Sequence, residues 1–254
     1  RRSRGRFCFG PECGRVRVVD AYRRRLERGA QVNASFRNAV RLYNSKRYVL
    51  ALEEFSSISE DPSANPELCY YLGLCHTQLE QYDEALLYLE QVVTTDLNIL
   101  HIYQSRMILS YIYTKTGRFK LAEFELESLL NSGYESAQVY SAFGFVAYQS
   151  GRTDEAINYL NEALKLDPDN VNAMNSLGYV LAEEENNLQK ALQLCRRAVE
   201  KKPDSAAYLD SLGWVYFKLG RISEARATLR KALSNSGGNK EIAAHMRAAL
   251  SAIP

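Results

Sequence analysis

With 254 residues, 46% of them hydrophobic and 24% charged, the chain carries enough apolar side chain to bury a core, which excludes wholesale disorder. No apolar run reaches the ~18–20 residues that cross a bilayer as a helix. The formal net charge of +2 hides a division. Residues 1–31 hold ten Arg against Glu12, Asp20 and Glu27, a net of +7, so the remainder sums to −5.

The first predicted element is this basic extension, residues 1–31, with a capping helix expected over Ala21–Ala30. Arg-rich stretches can touch nucleic acid or anionic lipid by charge alone. Aromatic residues are sparse here (Phe7, Phe9 and Tyr22), so a base-stacking platform is not supported and nucleic acid is not the expected partner. Capping of the first repeat, or docking on the acidic body, is the preferred reading. Cys8 and Cys13 flank a loop-like Phe9-Gly10-Pro11-Glu12 and can pair in an oxidising compartment. The five cysteines form neither a disulfide framework nor a metal set. The chain begins at Arg1 with no charged-then-apolar leader, so a processed product is expected.

From residue 32 onward one pattern recurs. A small residue is followed twelve positions later by Ala, and four beyond that by a larger apolar residue. Gly73, Ala85 and Leu89 show it, as do Gly144, Ala156 and Leu160, and Gly213, Ala225 and Leu229. Weaker copies are Ala39, Ala51 and Phe55, then Ser110, Ala122 and Leu126, and also Gly178, Ala191 and Cys195 with one extra residue in 183–187. The small positions 39, 73, 110, 144, 178 and 213 lie 34, 37, 34, 34 and 35 apart. Within each copy, apolar residues recur at three- and four-residue spacing, the mark of an amphipathic helix. Gly117, Gly151 and Gly220 fall between the helical runs, where a left-handed residue ends a helix. Pro168 and Pro203 mark helix exits. The excess before the third copy falls in residues 94–103, as an altered turn or a longer helix. Residues 240–252 (KEIAAHMRAALSA) form a last helix with one polar face.

Six in-phase copies at this period resemble the tetratricopeptide repeat family. The last two (NSLGYVLAEE and DSLGWVYFKLGR) look like its bacterial members, many of them envelope lipoproteins or periplasmic factors. The resemblance implies an all-α fold, a right-handed α-solenoid of about six helical hairpins plus end-capping helices. The implied division is a basic extension over 1–31, six repeats over 32–65, 66–102, 103–136, 137–170, 171–205 and 206–239, and a C-terminal capping helix over 240–254. It also implies a bacterial periplasm or cell envelope, with the cytoplasm as the alternative. The missing leader and the lack of an N-terminal lipid-bearing Cys are departures from that pattern.

No phosphate loop, nucleophile elbow or His-Glu-x-x-His helix is present, and no cofactor is expected. His76, His101 and His245 are read without ligand roles. The expected function is binding of a partner protein or peptide. In this family the first helix of each hairpin lines a groove, and the residue after the small position faces it. Here those residues are Val40, Leu74, Tyr111, Phe145, Tyr179 and Trp214. One turn on lie Tyr148 and Phe217, and beside them Asn172, Asn175 and Asp210. The candidate contact set is therefore Tyr111, Phe145, Tyr148, Asn172, Asn175, Tyr179, Asp210, Trp214 and Phe217. The competing reading is that these rings only fill space between neighbouring helices. Basic residues are scarce on this face, which argues against recognition of an acidic tail. A self-associating module and an accessory subunit of an envelope complex are the rival functions, so a homo-oligomer stays open.

Overall fold

The structure, a computed structural model, describes residues 34–95 and 98–252. The Arg-rich stretch, its expected helix and the Cys8–Cys13 pair lie outside the described residues. The described residues are all-α, with no strand among them. The described residues fall into two compact units, one ending at Ser105 and one starting at Arg106.

The N-terminal unit holds α1 (34–44), α2 (Tyr48–Ser56), α3 (Pro66–Gln78), α4 (Tyr82–Val92) and the start of α5 (Ile99–Lys115). The C-terminal unit holds the rest of α5, then α6 (Phe119–Asn131), α7 (Ala137–Gln149), α8 (Thr153–Leu166), α9 (Val171–Glu183) and α10 (Leu188–Lys201). It closes with α11 (Ala206–Lys218), α12 (Ile222–Asn235) and α13 (Lys240–Ser251). Helix α5 runs for 17 residues, so the sequence excess before the third copy is taken up as added helix.

Side-chain caps mark where several helices begin. Asn65 accepts the Leu68 amide at 3.1 Å and Pro66 opens α3. Ser136, Asn170 and Asn187 do the same for α7, α9 and α10, each satisfying an amide that the first turn leaves without a partner. The turns inside the hairpins need a left-handed residue. Glycine supplies it at Gly117, Gly151 and Gly220, whereas Lys46, Glu80 and Glu185 adopt it without glycine's freedom.

The recurring small residue is explained by the seam it makes. A Cβ placed on Gly73, Gly144 or Gly213 would stand 2.6 Å from the Cγ of Leu89, Leu160 or Leu229, and one on Gly178 would stand 2.5 Å from Cys195 Sγ. The two helices of these four hairpins therefore touch through the glycine, and the residue sixteen positions later, or seventeen at Gly178, fills its face. Leu89, Leu160, Cys195 and Leu229 are fully buried at these contacts. In the C-terminal unit one continuous apolar core runs from Ala137 through Met174, Leu177 and Val215 to Ala249. Helix α13 packs on α11 and α12, with Ile242 meeting Leu209 and Ala232. Cys69, Cys75 and Cys195 are buried and unbridged, and burial pushes the Cys75 and Cys195 thiols up to about 12.

Candidate functional site

The repeat phase fixes where side chains point. Helices α7, α9 and α11 are the first helices of successive hairpins, so equivalent positions on them line up in the C-terminal unit. A cavity of about 550 Å³ opens along them. Phe145 and Tyr148 of α7, Asn175 and Tyr179 of α9, and Asp210 of α11 line it. The turn into α13 closes one side with Asn239 and Glu241, while Lys115 of α5 stands on the lining as well. Phe145, Tyr148 and Tyr179 are each only partly buried, so the rings are neither sealed in the core nor fully solvated. Tyr148 and Tyr179 meet edge to face, their centroids 6.1 Å apart at 89°, an arrangement favoured by the ring quadrupoles.

Several acceptors stand around the rings. The Oδ1 of Asn175 is buried and has no hydrogen-bond partner. The Tyr148 hydroxyl is pushed up to about 12, first by burial and then by the negative charges of Glu183, Glu184 and Glu241. Tyr179 is raised too, again mainly by burial, with Glu183, Glu241 and Asp210 adding to it.

Beside the cavity, α13 makes a contact that the sequence reading missed. His245 Nδ1 lies 2.9 and 3.0 Å from the two carboxylate oxygens of Asp210, and its ring stacks on Trp214 at 4.2 Å. The side chains of His245 and Asp210 are 12% and 11% exposed. Burial lowers the imidazole's proton affinity most strongly. The Asp210 hydrogen bond and charge, helped by Glu241 and Glu183, outweigh it, so the net displacement is upward. Trp214 also donates its indole N–H to Glu183, stacks on Phe217 at 4.9 Å, and has Lys218 Nζ 5.5 Å from its ring centre. Helix α13 is held at both ends. Asn239 caps its first turn, and Arg226 of α12 donates to the carbonyls of Ala249 and Ala252 at 2.9 and 2.8 Å. The signal for His245 was in the period: Asn175, Asp210 and His245 are spaced 35 apart.

The nine expected contact residues thus divide. Phe145, Tyr148, Asn175, Tyr179 and Asp210 share the cavity. Trp214 and Phe217 lie beyond it, with His245 laid on the indole. Tyr111 is exposed on α5 and stacks with Phe145 at 6.1 Å. Asn172 is exposed, and its side-chain carbonyl accepts the hydroxyl of Tyr208. Among the described residues no group of three or more His, Cys, Asp or Glu is placed to hold a metal ion. No described helix is long and apolar enough to cross a membrane.

Comparison with known proteins adds an independent line. Family models described as tetratricopeptide repeat match residues 66–99, 142–206 and 182–250, together more than half of the chain. A TPR repeat-containing protein of Pseudomonas aeruginosa is 39% identical over 80 residues, 32% of this chain and 13% of that protein. The human protein O-mannosyl-transferase TMTC1 is 23% identical over 199 residues, 77% of this chain and 22% of that one. The chain thus spans less than a quarter of the length of either relative. Among solved structures, a tetratricopeptide repeat protein from Parabacteroides merdae superposes with a TM-score of 0.72 at 14% identity, covering 87% of this chain and 84% of that one. At that identity the likeness concerns the fold.

Proposed function

This chain belongs to the tetratricopeptide repeat family, and from that premise we propose that it is a binding scaffold holding an extended segment of a partner protein along α7, α9 and α11. The observation that carries this reading is the cavity of about 550 Å³ with three partly buried rings on its wall. Rings with polar tips give large contact area for little side-chain entropy, and they dominate binding hot spots. Asn175 and Asp210 beside them offer acceptors to the amides of an extended chain. The bacterial envelope is the compartment that goes with this proposal, on the resemblance of the last two repeats.

The test is capture of partners by the immobilised chain against the Tyr148→Ala/Tyr179→Ala double variant, with helix content checked by circular dichroism. Loss of about tenfold or more in retained partner, at unchanged helicity, is expected from removing two anchor rings. Undiminished capture overturns the assignment of the cavity. A second reading, self-association, is favoured by Leu121 and Phe124, one turn apart on α6 and 47% and 58% exposed. A dimer in sedimentation that Phe124→Glu dissolves would establish it.

A further inference from the structure

We infer that the cavity of the C-terminal unit receives the cationic end of an Arg or Lys side chain from that extended segment, an inference that rests on the binding reading above. The first argument is the donor–acceptor inventory. Asn175 Oδ1 is a buried acceptor with nothing donating to it, and a buried acceptor left without a donor is destabilising. Asp210, on the same wall, has both carboxylate oxygens facing the single nitrogen of His245, so each retains lone-pair capacity for another donor. Glu241 stands on the lining as a further acceptor. What Asn175 Oδ1 lacks is a donor, and a guanidinium or an ammonium brings several N–H groups at once to it and to the carboxylates beside it.

The second argument is charge. Glu183, Glu184, Glu241 and Asp210 all act on the hydroxyls of Tyr148 or Tyr179. The charged residues on the lining are one cation, Lys115, and two carboxylates, Asp210 and Glu241; nearby, His245 sits on Asp210 and Lys218 is paired with Glu185 at 3.0 Å. The balance is negative. A carboxylate entering here would meet like charges in a half-dry space, whereas a cation would meet opposite ones. The third argument is the rings. Phe145, Tyr148 and Tyr179 present aromatic surface beside those carboxylates, and a cation is drawn to a ring face within about 6 Å of its centre. An apolar side chain would use the rings alone and leave Asn175 without a donor. A cationic one uses both.

The test is fluorescence polarisation with labelled peptides Gly-Ser-Leu-X-Leu-Ser-Gly in which X is Arg, Lys, citrulline, Leu or Glu. The Arg and Lys peptides are expected to bind about tenfold tighter than the citrulline and Glu peptides at low salt, and the margin is expected to shrink with added salt. Asn175→Leu is expected to cut the Arg-over-Leu margin about threefold or more, because it removes the acceptor, and Glu241→Gln to cut the Arg-over-citrulline margin as much, because it removes a charge; both leave Asp210 and His245 in place. If the Leu or citrulline peptide binds as tightly as Arg, and Tyr148→Ala/Tyr179→Ala abolishes that binding, the cationic preference is overturned while the cavity remains a docking site. Arg-peptide binding that ignores the double variant overturns both. Absence of binding by either cationic peptide to the wild-type chain overturns the inference as well.

Discussion

The N-terminal and C-terminal units are built from the same hairpin but use their aromatic residues differently. In the first, Phe36, Phe55, Tyr70 and Tyr71 form a knot of rings with centroids 5.3 to 5.6 Å apart. Phe55 at its centre is fully buried. Burial there pushes the hydroxyl of neighbouring Tyr43 up to about 12. The ladder position in this unit is aliphatic, Val40 and Leu74. In the second unit the seam partner is Leu160, Cys195 or Leu229; Phe143, Tyr208 and Tyr216 are buried off the ladder, but the ladder carries rings as well, and there Phe145 and Tyr179 stay partly accessible. The lesson is that one backbone repeat can carry aromatics either as core or as wall, and that the position within the repeat decides which.

Substitutions can sharpen or break this contrast. The largest effect is expected at Phe55→Ala, which empties the ring knot and should cost about 3–5 kcal/mol in denaturant unfolding. If rings in the second unit are wall rather than core, Tyr148→Ala should cost only about 1 kcal/mol by the same measurement. Equal losses would erase the distinction. Next comes the seam. Gly213→Val forces branched carbon onto Leu229, whose Cγ is already 2.6 Å from the added Cβ, and should destabilise by about 3 kcal/mol. Combined with Leu229→Ala, the two losses should fall short of additivity, because the second change clears the space.

The third prediction concerns pH. The folded imidazole of His245 holds its proton more tightly than the ordinary side chain at 6.5. The stabilisation from its contact with Asp210 is therefore fully present below about pH 6.5 and fades as pH rises through the higher folded value. Amide protection factors in α13, taken relative to intrinsic exchange at each pH, should fall across that rise. His245→Ala should lower them by about tenfold at pH 6, for a charge-assisted hydrogen bond of about 1.5 kcal/mol, and by less at pH 9. The smallest effect is expected at Lys46, a non-glycine residue at φ 60°. Lys46→Gly should raise stability by about 1 kcal/mol, since it relieves left-handed strain in the first hairpin.

Much of the fold was legible because the repeat is itself a packing rule. Gly73, Gly144, Gly178 and Gly213 recur where any Cβ would collide, and the helix phase that places them also sets which residues face along α7, α9 and α11. The family resemblance, which implies that the residue after each small position faces the groove, therefore picked out Phe145 and Tyr179, and both line the cavity. Trp214 and Phe217 obey the same phase, yet the reading did not foresee their surroundings, because the docking of α13 decides them. That docking rests on few contacts far apart in sequence: Arg226 on the end of α13, His245 on Asp210, and Ile242 on Leu209. Asn172 was read as a polar contact beside the rings, but its capture by Tyr208 depends on a neighbour 36 residues away.

The central claim is that partners dock along α7, α9 and α11. Hydrogen exchange of the chain, alone and with a partner recovered on the immobilised wild type, tests it most directly. The account predicts added protection in peptides covering Ala137–Gln149, Val171–Glu183 and Ala206–Lys218. Protection confined to α8, α10 and α12, with those three helices unchanged, would contradict it.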